Sequence, residues 1–280
     1  MKAKSIRIFF LYLFLILLAI IMVYPIVWLF FSSFKENAEI FTSIRLLPSK
    51  WNGFTSYING WKATGQNTYT VFFRNSFLIV IPTVLLTVLT SIITAYGFAR
   101  FKFRLKKLLF SMMIATLLLP NEVLIVPRYI MFNKFGWINT YKPFYMPAAL
   151  GTYSFFIFMM FQFIRAIPKT LDEAAYIDGC NSFGIFLKII LPLSVPSIVS
   201  MTLLQFIWRW NDFFDSLIYI NSVKKFPVAL GLRLALDVGE AVAWNETMAM
   251  TMLTMLPPIL LFAFCQKYFV EGISTTGLKG

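Results

Sequence analysis

Residues 8–31 read IFFLYLFLILLAIIMVYPIVWLFF, 24 consecutive residues without a charge. Wound as a helix at about 1.5 Å per residue, the run reaches about 36 Å, enough to cross a hydrocarbon core of about 30 Å with some tilt. Lys2, Lys4 and Arg7 precede it, as in a signal peptide. The apolar part, however, exceeds a signal's core of about 7–15 residues, and no small-residue cleavage site follows. The run is expected to stay as a first membrane helix with its N-terminus in the cytosol.

Composition extends that reading to the whole chain. Of 280 residues, 59% are hydrophobic and 13% charged, against about 45–50% and about 25% in soluble domains. Such a chain cannot solvate its own surface, which excludes a soluble enzyme. The absence of His also removes His-based zinc sites, a Ser-His-Asp triad and a His proton relay. Cys180 and Cys265 cannot make a disulfide framework. The net charge of +13, on a chain with no soluble basic domain, fits anionic lipid headgroups better than nucleic acid.

Five further spans follow, at 75–98 with Pro82, 108–130, 144–164, 195–220 and 248–265 with Pro257-Pro258. Two are expected to be broken, the third at Pro120-Asn121-Glu122 and the fifth at Arg209-Trp210-Asn211-Asp212. The fold class is therefore an all-α integral membrane protein of six transmembrane helices in a single domain. Arg100, Lys102, Arg104, Lys106 and Lys107 place five cations in a short connection. By the positive-inside bias that connection is cytosolic, and an even number of spans returns the C-terminus to the cytosol. The outer loops are 32–70 and 221–246, the first with Trp51 and Trp61 and expected to be partly folded.

Residues 165–192, between the fourth and fifth spans, are too polar to span and too apolar for a plain linker. Thr170 and Glu173 have the spacing of a capping box, and Asp172 and Glu173 suit the positive end of a helix dipole. A short helix is expected from Leu171. Ala174, Ala175 and Gly179 give it a low surface that another protein can approach closely. Asn181, Ser182 and Gly184 then interrupt it, and a second segment, 185–191, is expected to stop at Pro192.

Glu173-Ala174-Ala175, three residues, Gly179, nine residues, Ile189, one residue, Leu191-Pro192 resembles the EAA loop of ABC-importer permeases at every anchor. Trp210-Asn211-Asp212-Phe213-Phe214, the tail from Gln266 to Gly280, and Ser33-Phe34-Lys35 are similar to the carbohydrate, maltose-type branch. One departure is Asp215-Ser216 where that branch often carries Trp-Pro. The resemblance implies the type I importer permease fold in a bacterial cytoplasmic membrane. It also implies two permease subunits, two cytosolic ATPases that carry ATP and Mg, and an external solute-binding protein. This chain itself would hold no cofactor and catalyse nothing. Glu173, Ala174, Ala175, Asp178, Gly179, Leu191 and Pro192 would couple it to the ATPase, with Glu173 as the polar anchor. Thr275, Thr276, Gly277 and Lys279 of the tail would also touch the ATPase pair. The imported solute would be an oligosaccharide or another polyhydroxylated compound, such as glycerol phosphate or an acidic glycan.

Gly272 and Gly277-Leu278-Lys279 do not form a phosphate-binding loop, because Leu278 stands where the motif needs Lys and no helix follows. Glu122, Arg209, Asp212 and Asp215 lie nearest the membrane interior, where a charge costs about 2.5–3.5 kcal/mol unless paired or facing a cavity. Glu122, Gln205, Trp210, Asn211 and Asp212 are expected along a translocation path. For Glu122 and Asp215 a position near the outer interface stays equally open. Trp208, Trp210 and Tyr219 have rings suited to stacking on sugars, or to packing against lipid and helices. A proton-coupled carrier or channel using Glu122, Asp212 and Asp215 is the rival from another class.

Overall fold

The computed structural model describes residues 2–62, 67–237 and 242–277, with side chains over 6–62, 67–237 and 242–267. Among these residues the chain is helical, with no strand. In order, the helices are α1 (Lys2–Ser32), α2 (Glu39–Thr42), α3 (Thr55–Lys62), α4 (Tyr69–Arg100), α5 (Lys106–Leu117), α6 (Asn121–Lys134) and α7 (Lys142–Ala149). They continue as α8 (Ser154–Ala166), α9 (Thr170–Ile177), α10 (Ser182–Ile185), a π-helical segment (Phe186–Ile190), α11 (Leu191–Leu193) and α12 (Val195–Trp210). Last come α13 (Phe214–Tyr219), α14 (Val228–Asp237) and α15 (Trp244–Gly277).

Among the described residues, four stretches are long and apolar enough to cross a membrane: Ile6–Ser32, Tyr69–Arg100, Lys142–Ala166 and Trp244–Lys267. Two bent pairs, α5 with α6 at 106° and 182–193 with α12 at 71°, raise the number to as many as six if each pair is one span. The third-span break falls where the sequence placed it. Pro120 is extended (φ −60°, ψ 136°) and stands at the N-cap of α6. A proline lacks the amide that would continue α5 and disfavours helical geometry in the residue before it. Further on, α12 ends at Trp210 and α13 starts at Phe214, at the expected interruption, while the bent pair that is apolar enough to span, 182–193 with α12, turns at Ser194. The fourth span carries a break that was not expected, between Ala149 and Ser154. There Gly151 takes φ +66°, and the Thr152 amide and hydroxyl both donate to Pro147 O, at 3.1 and 3.0 Å.

The chain divides into two compact units, one of 1–70 with 231–256 and one of 71–230 with 257–280. In the first, the described part of the 32–70 segment is folded, with Trp51 taking part. Phe34 stacks on Trp51 at 4.6 Å, and Ser33 Oγ lies 2.9 Å from Tyr57 OH. Asn37 takes the Trp244 amide on Oδ1 at 2.7 Å and donates Nδ2 to Val242 O at 3.0 Å. Gly60 lets α3 approach α15 closely, since a Cβ there would stand 3.1 Å from Glu246 O. The Ser49 amide and hydroxyl both donate to Glu39 and hold its carboxyl below the usual value.

The second unit packs around α4. Pro82 of α4 has no amide for Leu78 O, and Tyr145 OH donates to that freed carbonyl at 2.5 Å. Inside a membrane a carbonyl released by proline needs such a partner. An apolar cluster gathers Ile92, Ala95, Tyr96 and Phe98 of α4 with Phe156, Met160 and Ile164 of α8 and with Ala175, Ile185, Ile190 and Met201. A second cluster joins Ile79, Phe132, Phe144, Tyr219 and Ile220.

Candidate functional site: the α9 segment and the interrupted fifth span

Helix α9 begins half a turn after Pro168 and ends by a full glycine C-cap. Gly179 holds φ +82°, its amide donates to Tyr176 O at 3.1 Å and the Cys180 amide donates to Ala175 O at 2.9 Å. These two bonds are the Schellman pair, which needs a left-handed residue and so favours glycine. Asn181, extended (ψ 171°), then caps α10 by accepting the Gly184 amide on Oδ1 at 2.8 Å.

The N-terminus corrects the capping-box expectation. Helix α9 starts at Thr170 rather than Leu171, Lys169 sits at the N-cap, and no side chain caps the first turn. Because the turn after Pro168 is already helical, Thr170 lies inside the helix and its hydroxyl is not the cap. Asp172 instead turns inward, its Oδ2 at 2.7 Å from Arg100 Nε with both side chains largely buried. Burial pushes the Asp172 carboxyl above its ordinary value, outweighing the opposing pull of Arg100 and Lys169. Arg100 also donates Nη2 to Ile167 O at 3.0 Å. One turn up α4, Tyr96 OH donates to Ser182 O at 2.9 Å, and Ser182 Oγ lies 2.7 Å from Tyr176 OH.

This inward grip leaves an outward face. Glu173, Ala174, Asp178 and Gly179 are exposed. Ala175 is not, because it packs in this chain's own core at 7% exposure, and it is withdrawn from the candidate docking surface. In its place the structure presents Tyr176, Ile177 and Phe183 at 54%, 87% and 68%. Their apolar character in a polar segment was the signal that the sequence offered. Leu191 is half-buried and Pro192 exposed. Pro192 does not stop the segment. The helix runs through to Leu193, because the preceding turn opens to π geometry and the Leu191 amide bonds Phe186 O. That wider turn tolerates the amide that Pro192 lacks.

In the fifth span Arg209, only 10% exposed at its side chain, pairs with Asp212 and reaches Asp215 at 3.5 Å. It also donates to Tyr153 OH at 2.7 Å and lies over the Phe144 ring at 5.3 Å. Asp212 Oδ1 accepts the Asp215 amide at 3.2 Å. Arg209 thus fastens the break after α12 to the break after α7, and the charges answer one another instead of standing free in the membrane. Two residues expected along a path are enclosed by packing instead. Trp210 is 2% exposed, stacked on Phe206 and beside Phe77. Gln205 is equally buried and donates to Thr87 Oγ1 at 3.1 Å. Both face α4, a consequence of helical phase that the polar string alone did not reveal. Asn211 and Glu122 are exposed, Glu122 in the first turn of α6. Trp208 is half-exposed against Phe155 and Phe156, whereas Tyr219 is buried.

Thr275, Thr276 and Gly277 continue the backbone of α15, with side chains outside the described residues, and Lys279 lies outside them altogether. Among the described residues no group of three or more Cys, Asp or Glu is placed to hold a metal.

The family described as "Binding-protein-dependent transport system inner membrane component" matches residues 87–275. An arabinooligosaccharides transport system permease protein of Halalkalibacterium halodurans is 32% identical over 94% of this chain and 93% of its own length. The trehalose/maltose transport system permease protein of Thermococcus litoralis is 30% identical over 95% and 94%. The crystal structure of a bacterial ABC transporter for import of the acidic polysaccharide alginate shares the fold. Its TM-score is 0.82 at 19% identity, over 96% of this chain and 98% of that one. The chain belongs to the family of binding-protein-dependent inner membrane components, the permease subunits of ABC transporters, which are not themselves enzymes.

Proposed function

We propose that this chain forms half of the membrane path of an ATP-driven oligosaccharide importer, and that the outward face of α9 is the surface on which a cytosolic ATPase acts. One observation carries the coupling assignment. Helix α9 is held from behind by Arg100 through Asp172, and Tyr96 holds Ser182 just beyond it, yet α9 presents Glu173, Tyr176 and Ile177 to the outside. A short stiff knob with an apolar tip and a carboxylate suits a partner's cleft, and alternating access needs such a connector to a bistable body. The sugar class is supported by the two permeases named for arabinooligosaccharides and for trehalose and maltose. Engagement of Asp212 and Asp215 by Arg209 favours this reading over a proton-coupled carrier.

The remaining parts follow. The cations from Arg100 to Lys107 stand at the same end of the second unit as α9, which supports a cytosolic location for both. A second permease, two ATPases carrying ATP and Mg, and an external solute-binding protein complete the assembly, with the tail of α15 as a second contact to the ATPases. The test uses the assembled importer. Glu173→Lys and Ile177→Asp should insert normally, lose ATPase on co-purification and abolish uptake of labelled trehalose, maltose or arabinotriose. Normal ATPase binding by both variants would remove the coupling assignment.

A further inference from the structure

The segment carrying α9 is covalently joined to α8 and α12, but neither junction is continuous helix. Ile167, after α8, is extended (φ −69°, ψ 125°). On the other side the chain passes through left-handed Gly179 and extended Asn181. A push on α9 therefore bends these junctions unless something else carries it. The end of α4 is placed to do so, with contacts at both junctions and on the helix itself. Arg100 holds Ile167 O and Asp172, and Tyr96 holds Ser182 O. Ala175 seals the same contact by packing into the cluster that includes Tyr96 and Phe98. An ion pair withdrawn from water is stiffer than a solvated one, because its attraction is less screened. These partners are 67 and 86 residues apart in sequence, so the grip is a product of the fold and not of local chain connection.

We propose that the last turn of α4 receives the stroke from α9, with Arg100 and Tyr96 as the positioning residues that transmit it. This rests on the reading of α9 as the ATPase-docking knob. The stroke thereby enters the second span of the subunit, which is not the span on either side of the coupling segment. From there it passes up a helix of 32 residues whose buried Thr87 holds Gln205 of α12.

The test needs no knowledge of the solute. In the complete importer, with Cys180 and Cys265 replaced by Ser, a nitroxide is placed on α4 at Leu89→Cys, an exposed position. Trapping the ATPases closed with ATP and vanadate should change the label's spectrum. The double variant Arg100→Gln/Tyr96→Phe should lose that change while still binding ATPase and still trapping vanadate. Tyr96→Phe keeps the ring that packs on Phe101 and Phe186, and Arg100→Lys with Tyr96 intact should keep the spectral change. An undiminished change in the double variant would overturn the proposal. So would loss of ATPase from that variant, which would make the pair part of docking. Failure of Ile177→Asp to loosen the ATPase would instead sink the docking assignment, so the two failures are told apart.

Discussion

Replacing Arg209 with Met should damage this subunit more than any other single change in the fifth span. The substitution keeps an unbranched apolar stem and removes the cation that answers Asp212 and Asp215. Those carboxylates have side-chain exposures of only 16% and 24%, and they would be left facing one another at the break between α12 and α13. Leaving a buried charge unpaired costs about 3–5 kcal/mol, and the partial exposure of Asp215 argues for the lower half of that range. Loss of the bond to Tyr153 OH adds about 1 kcal/mol. Asp215→Asn, by contrast, leaves Arg209 with Asp212 and Tyr153 and should cost about 1 kcal/mol. The triple variant Arg209→Met/Asp212→Asn/Asp215→Asn removes all three charges and should recover most of the loss. The assay is the temperature at which a fluorescently tagged subunit in the assembled complex ceases to run as a monodisperse peak. At about 2–4 °C per kcal/mol the single change should lower it by roughly 8 °C or more. Equal losses for Arg209→Met and Asp215→Asn, or no recovery in the triple variant, would refute the account of the cluster as a self-compensating structural tie.

Three further outcomes are expected. Gly179→Ala meets no neighbour within 4 Å, so its cost is purely the left-handed backbone, about 1–2 kcal/mol; the variant should express and insert while ATPase co-purification weakens. Gly60→Val places new atoms against Glu246 O and Met250 and should cost about 1–3 kcal/mol by overpacking, read as faster proteolysis of the segment between α1 and α4. The raised carboxyl of Asp172 predicts a pH effect with a definite sign. Between the ordinary carboxylate value of 3.8 and the raised folded value, the folded state binds more protons than the unfolded one, so stability falls as pH rises through that window. Hydrogen exchange of the 170–177 amides, corrected for intrinsic rate, should show opening becoming more frequent across it, and Asp172→Asn should remove the dependence.

Much of this architecture is written in local sequence. The uncharged runs give the spans because crossing a bilayer is a one-dimensional constraint on length and polarity. Pro120 gives a break because its ring cannot continue α5. Gly179 gives the end of α9 because few other residues take its φ. What local sequence does not carry is partnership between distant residues. Arg100 read as one cation among five, and Asp172 as a helix-dipole residue, yet they are a buried pair. Trp210 stood in a polar string that pointed to a path, with Gln205 about one turn before it, but the rotation of α12 turns both towards α4. Thr170 and Glu173 had the spacing of a cap, and the helical turn after Pro168 moved the cap position one residue earlier. The break in the fourth span had a signal, Gly151 followed by Thr152, which the apolar surroundings outweighed.

Helix α1 is exposed at every position from 6 to 26, and between Ile8 and Val27 its side chains offer no hydrogen-bonding group except the hydroxyls of Tyr12 and Tyr24. Lipid tails and a neighbouring apolar helix are nearly equivalent surroundings for such a surface. Whatever α1 settles against must therefore be chosen by shape, through the notch at Ala19 and the irregularity at Pro25, without a polar code to enforce it. A helix recruited that way tolerates conservative drift in its aliphatic residues but not a change of contour, so bulk at Ala19 should matter where exchange of Leu for Ile elsewhere does not.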